Sequence, residues 1–167
     1  AAPLRAWLDT QPDDLVVRSR LANHYLTAGD MGAAASEYER LVEAAPENAT
    51  LLNNLAWIYS QQDDPRARAV AERAFGLAPD HPMVADTFGW ILHQAGESER
   101  ALELIARAAA TAPGVAEIRY HHAVLLAETG DVEGARREAR AVLADTAAAP
   151  YHGEAQKLLE RLERNGE

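Results

Sequence analysis

The chain has 167 residues, a formal net charge of −10 and a single lysine, Lys157. That balance excludes nucleic acid as the expected partner, because duplex binding rests on Lys and Arg neutralising a run of phosphates, and the cluster Arg136, Arg137, Arg140 is interrupted by Glu138 as on a solvated helix face. The absence of cysteine removes disulfides, thiolate metal sites and cysteine nucleophiles, and no run approaches the ~18 apolar residues that span a bilayer, so no direct membrane insertion is expected of this segment.

Hydrophobic residues make up 48% of the chain, with alanine supplying much of that share while Phe and Met are scarce. Helices packed closely on small side chains are the natural consequence. Prolines set the register: Pro12, Pro46, Pro79 and Pro113 recur at intervals of 34, 33 and 34 residues, each after a helical pattern. Proline cannot continue a helix, so a fixed proline interval marks a fixed helix-end interval.

In chain order, Leu4, Trp7 and Leu8 share one helical face and read as the second helix of an upstream repeat within 1–12. Unit 13–46 opens at Asp13-Asp14, with helices expected over 14–28 and 31–45. Unit 47–79 follows with helices over 48–61 and 65–78; its turn is one residue short, and Pro65 is expected in the first turn of the second helix. Unit 80–113 has helices over 82–95 and 98–111, and unit 114–146 has helices over 115–129 and 132–145. Gly29, Gly96 and Gly130 hold equivalent positions between the paired helices, suited to a left-handed helix end, and Asp63 stands there in the second unit. Segment 147–167 carries one more helix, about 151–164, with Ala155, Leu158, Leu159 and Leu162 on one face and charge on the other, as a cap for the last open face of a stack.

The spacing resembles the tetratricopeptide repeat (TPR), whose pattern W-x2-L-G-x2-Y, then A-x3-F, then P occurs in degenerate form four times. The first copy reads Leu21-Ala22-x2-Tyr25, Ala34-x3-Tyr38, Pro46, and the second Leu55-Ala56-x2-Tyr59, Ala67-x3-Ala71, Pro79. The third reads Phe88-Gly89-x2-Leu92, Ala101-x3-Ile105, Pro113, and the fourth His122-Ala123-x2-Leu126, Ala135-x3-Ala139. The fold class implied is all-α, a right-handed α-solenoid of four TPR helix pairs with a C-terminal capping helix. His122 departs from the apolar residue expected in its slot and is read as a core histidine satisfied by a neighbour. The run Asp86-Thr87-Phe88-Gly89-Trp90-Ile91-Leu92, with Glu117-Ile118-Arg119-Tyr120-His121, further resembles the C-terminal repeats of bacterial cell-envelope TPR lipoproteins of exosortase (PEP-CTERM) and exopolysaccharide systems. That resemblance implies a periplasmic or envelope-associated scaffold.

No enzyme motif for nucleotides, phosphates, zinc hydrolysis or a serine nucleophile occurs. His121 and His122 are adjacent on a helix and diverge by about 100°, and His24, His81, His93 and His152 are isolated, so neither a metal site nor a cofactor is expected. In this family the first helix of each pair lines a groove, which places Asn23 on the first, Asn53 and Trp57 on the second, Asp86, Trp90 and His93 on the third and Tyr120 on the fourth. Trp57 and Trp90 hold equivalent positions. They read either as an aromatic binding platform or as packing between adjacent first helices. Asp86 and Glu117 are the acidic pair of that face, with no base expected beside them. The carboxylate clamp known from the family is not rebuilt, since only Asn23 and Asn54 of its residues match. A protein or peptide partner in the groove is the first expectation. Carbohydrate held by the aromatics with Asn53, Asp86 and His93 is the alternative from another class, and self-association through the ends of the stack is a third.

Overall fold

The computed structural model describes residues 1–164, so the last three residues of the expected 147–167 cap lie outside it. Every regular element among the described residues is helical, and the chain divides into two units, Ala1–Pro79 and Asp80–Glu167. The first contains α1 (Ala2–Thr10), α2 (Leu15–Thr27), α3 (Met31–Ala44), α4 (Ala49–Gln61) and α5 (Ala67–Leu77). The second contains α6 (Pro82–Gln94), α7 (Ser98–Thr111), α8 (Ala116–Glu128), α9 (Val132–Ala144), a 3-10 turn at Thr146–Ala148, and α10 (Ala149–Arg164). Within each unit every helix packs on the next one in sequence, which is the all-α helical-repeat fold the proline interval predicts.

The helix starts are fixed by short acceptor side chains that satisfy otherwise orphaned amides. Asp14 accepts from Val16 and Val17 N–H, Asp30 from Ala33, Asn48 from Thr50 and Leu51, and Asp131 from Gly134. The first-helix ends share one closure. Asp30 N–H donates to the Tyr25 carbonyl, Asp64 N–H to Tyr59 and Glu97 N–H to Leu92, each at 2.9 Å, which is the six-to-one hydrogen bond of a Schellman end. The residue before each of these donors must be left-handed. Gly29 and Gly96 adopt φ of 75° and 84°, and Asp63 takes the same conformation at 53°. Immediately after Asp63 the chain differs from expectation: Pro65 lies in a turn in which Arg66 N–H donates to the Asp64 carboxylate, and α5 begins only at Ala67.

The first and second helices of a pair approach on small residues. Ala22 and Ala34 are fully buried in the first pair and Ala123 and Ala135 in the fourth, while in the second Ala56 is fully buried and Ala67 7% exposed. Gly89 takes the same slot on α6, and there the crossing is tighter: a Cβ on it would lie 2.7 Å from Ile105 Cγ1 and 3.3 Å from the Ala101 carbonyl oxygen. Gly89→Ala therefore sets a helix-propensity advantage of about 1 kcal/mol against overpacking of about 1–3 kcal/mol. The expected net is a loss of about 1 kcal/mol, turning into a gain in an Ile105→Ala background. Thermal unfolding of the four-member cycle reads this coupling, and a Gly89→Ala protein more stable than wild type with Ile105 intact contradicts it.

A second device ties helix pairs to the turn before them. Arg18 on α2 is 6% exposed; its guanidinium donates to Glu37 on α3 at 2.5 Å and to the Pro12 carbonyl at 2.6 Å. Arg119 on α8 repeats the arrangement with Glu138 on α9 at 3.1 Å and with the Pro113 carbonyl.

At the C-terminal side, α10 lays Ala155, Leu158, Leu159 and Leu162 on a cluster that includes Ala123, Ala135, Ala139 and Val142. The helix starts two residues earlier than expected, at Ala149, and Pro150 occupies its first turn, where a missing N–H is harmless.

Candidate functional site

The first helices of the second unit carry a continuous row of rings. Three residues apart on α6, Trp90 and His93 have centroids separated by 4.9 Å. Trp90 stacks on His121 of α8 at 4.0 Å and 15°. Tyr120 lies 6.0 Å from His121 and 5.9 Å from Tyr151 in the first turns of α10. Trp90, His93, Tyr120 and Tyr151 are half-buried, so the row keeps an open side. Beyond Tyr120 it borders a cavity of 360 Å³ lined by Val124, Glu154, Lys157, Leu158, Arg161 and Arg164.

Beneath the rings lies a polar core. Asp86, on the same helix as Trp90, is 1% exposed, and its two carboxylate oxygens lie 3.0 and 2.9 Å from His121 Nδ1. One turn before His121, Glu117 is half-buried. Burial pushes its carboxyl above the ordinary carboxylate range, with the negative charge of Asp86 adding to the effect, while His121 and a hydrogen bond from Tyr151 oppose it. The Tyr151 hydroxyl is raised in turn, by burial first and then by Glu117. One ligand atom from each of Asp86, Glu117 and His121 falls within 4.8 Å of the other two.

This core corrects two expectations. The helical period places Asp86 on the groove surface, yet it turns to α8 because a neighbouring first helix closes over that flank. The acidic pair Asp86/Glu117 was expected to stand without a base, yet His121 sits against it. The signal for His121 was present as Glu117-x3-His121, an i,i+4 pair on one helix face. His93 Nδ1 is buried without a hydrogen bond, its nearest acid being Glu128 Oε2 at 3.5 Å. His122, expected to be satisfied by a neighbour, has a buried Nδ1 with no hydrogen-bond partner, and burial pulls its pKa below the usual imidazole value.

The remaining groove residues belong to the first unit. Asn23 is exposed and accepts a 2.7 Å hydrogen bond from the Tyr38 hydroxyl, which in turn accepts from Asn54 at 3.1 Å. This ladder of α2, α3 and α4 occupies the two asparagines that the carboxylate clamp would require. Asn53 is 8% exposed and its Oδ1 has no hydrogen-bond partner, so it too departs from the surface position expected of it. Trp57 is half-buried on α4.

Paired helices on a 34-residue spacing, closed at crossings of alanine and glycine, define a helical-repeat protein of the interaction-scaffold type. The tetratricopeptide repeat matches residues 19–82 and 87–153, and the chain belongs to that family. It is 30% identical over 149 residues to cellulose synthase operon protein C of Xanthomonas axonopodis pv. citri (strain 306). That alignment covers 87% of this chain but only 9% of the relative, so the chain spans about a tenth of that protein's length. Among solved structures it is similar to PilW, a widely conserved type IV pilus biogenesis factor, with a TM-score of 0.76, 21% identity and coverage of 91% and 70% of the two chains. It is also similar to YrrB, a TPR protein with an unusual peptide-binding site, at a TM-score of 0.67, 18% identity and 98% and 83% coverage. TPR proteins are generally scaffolds for protein partners rather than enzymes. Among the described residues no helix is long and apolar enough to cross a membrane.

Proposed function

We propose that the chain is a non-enzymatic scaffold that binds a peptide segment of a partner protein along the first-helix face of its second unit. The observation that carries this reading is the ring row from His93 through Trp90, His121 and Tyr120 to Tyr151. Half-exposed indole and phenol rings supply large contact area at little entropy cost, which is why they dominate binding hot spots. Lys157, Arg161 and Arg164 at the end of the row add local positive charge in an acidic chain and favour a segment that carries carboxylates there. Resemblance to envelope TPR lipoproteins, together with the relatives named for cellulose synthesis and pilus biogenesis, supports a place in bacterial envelope assembly, export or protein-sorting machinery.

The carbohydrate alternative is weakened at its polar contacts. Asp86 and Asn53, assigned to grip sugar hydroxyls, are both buried, which leaves the aromatic rings and His93 alone for that task. Peptides selected on the full chain from a random display library should bind with a shift in tryptophan emission. Tyr120→Ala and Trp90→Ala should each weaken capture at least tenfold while the helical circular dichroism persists. Equal capture by both variants, or an emission shift on titration with exopolysaccharide and none with the selected peptides, refutes the peptide reading.

A further inference from the structure

The polar core under the ring row remains unexplained by a scaffold role, because burying two carboxylates is expensive unless something positive joins them. Asp86 is 1% exposed and Glu117 half-buried, and the charges bearing on Glu117 are the carboxylate of Asp86 and the imidazole of His121. Two carboxylates and one imidazole give the trio a charge of −1 at most when His121 is protonated. A divalent cation brings that charge to zero with His121 neutral. We infer that Asp86, Glu117 and His121 form a binding site for one divalent transition cation of the zinc type.

The donor set fits. Imidazole nitrogen with two carboxylate oxygens suits borderline divalent ions, and three protein ligands with one open position is a standard zinc arrangement. Two donors bound about 2.1 Å from one ion can be at most about 4.2 Å apart. In a tetrahedral site two such donors stand about 3.4 Å apart, so a 4.8 Å separation has to close by about 1.4 Å, a movement that rotation of the long Glu117 side chain supplies. Asp86 Oδ2 and His121 Nδ1 stand 2.9 Å apart and open by about 0.5 Å to take two corners of a tetrahedral ion. Binding requires Nδ1 to present its lone pair to the ion, so any proton it carries passes to solvent.

Two further contacts act on the ligands without touching the ion. Trp90 stacked at 4.0 Å fixes the plane of the His121 ring, and Tyr151 orients Glu117 by its hydrogen bond. Because the three ligands come from α6 and α8, an ion there clamps the two first helices of the second unit together. The inference stands apart from the peptide reading, since it requires no partner.

The test uses the full chain, dialysed against chelator and titrated with zinc chloride and cobalt chloride. Expected are one zinc ion per chain by calorimetry, visible cobalt absorption of a low-coordinate N/O site, and a thermal midpoint that rises with zinc. Asp86→Asn, Glu117→Gln and His121→Gln should each weaken binding at least tenfold, and Tyr151→Phe by a smaller factor. Tyr151→Phe and Glu117→Gln alter groups that are not fully buried, so they keep the test open if Asp86→Asn fails to fold. Absence of a saturable site below 100 μM metal overturns the inference, as does zinc binding that Glu117→Gln and His121→Gln leave unchanged.

Discussion

Replacing Glu37 by alanine should lower the stability of the first unit by about 3 kcal/mol, the lower end of what breaking a buried ion pair costs. The side chains of Arg18 and Glu37 are 7% and 14% exposed, so water cannot take the place of the lost carboxylate. Arg18 would retain the Pro12 carbonyl, which satisfies part of one guanidinium edge but supplies no countercharge. Arg40 also approaches Glu37, at 3.9 Å, yet it is 61% exposed and loses little when the acid goes. For a chain of this size about 3 kcal/mol corresponds to roughly 6–12 °C in the unfolding midpoint. The damage should be local, with accelerated amide exchange in α2 and α3.

The repeat provides its own control. Glu138 pairs with Arg119 in the equivalent bracket, but those side chains are 28% and 19% exposed, so Glu138→Ala should cost about half as much. Replacing both partners, as Arg18→Met with Glu37→Leu, should recover most of the loss, because an apolar pair of similar volume leaves no buried charge behind. A Glu37→Ala protein that melts with the wild type, or a double variant that melts below the single one, rejects this account of the bracket.

Neither arginine bracket was visible in the periodic pattern that revealed the fold. The pattern works on apolar spacing and on residues that stop helices, and there it succeeds: the proline interval, Gly29 and its equivalents, and the buried Leu21, Leu55 and Phe88 lie where the spacing places them. Asp63 was recognised as standing in a glycine slot and is left-handed, since the closing hydrogen bond to Tyr59 demands it whichever residue is there. The start of α5 was misplaced because proline tolerates a first helical turn without requiring one. A pairing such as Arg18 with Glu37 depends on where the second helix lies across the first, which no single-helix period contains.

The same boundary explains the site. Trp90 and His93 could be placed on one face because they are three apart on one helix. Asp86 belongs to that helix too, but its burial is decided by α8 lying against α6, and periodicity along α6 cannot tell a flank covered by a neighbour from one facing solvent. Along the sequence His121 has only His122 beside it, and those two diverge on the helix. Its physical neighbours are Asp86, 35 residues earlier, and Trp90. In a repeat protein the productive comparison runs across one repeat length, where adjacent first helices meet. Trp90 packs against α8 through His121 and keeps one side open.

His122 is the residue where the repeat pattern and the chemistry conflict most, and His122→Leu should stabilise the protein by about 1–2 kcal/mol at pH 7.5. Leu21, Leu55 and Phe88 fill the equivalent slot with 1%, 3% and 1% exposure. His122 instead buries an Nδ1 that has no hydrogen-bond partner, a defect of about 1–3 kcal/mol. Its pKa is lowered from 6.5, first by burial, with Arg137 and Arg119 acting in the same direction and Glu138 and Asp131 opposing them. The sign follows from which state takes the proton first. As pH falls below 6.5 the unfolded chain protonates this imidazole while the folded chain does not, so native stability is full above 6.5 and declines down to the folded pKa. Leucine removes that decline, so the stabilisation by His122→Leu should be larger at pH 5.5 than at pH 7.5, by at most about 1.4 kcal/mol. Guanidinium unfolding of both proteins at the two pH values measures it. A benefit that is the same at both would mean that His122 titrates in the folded chain as it does in water, and one greater at pH 7.5 that the slot favours its charge; either contradicts the account.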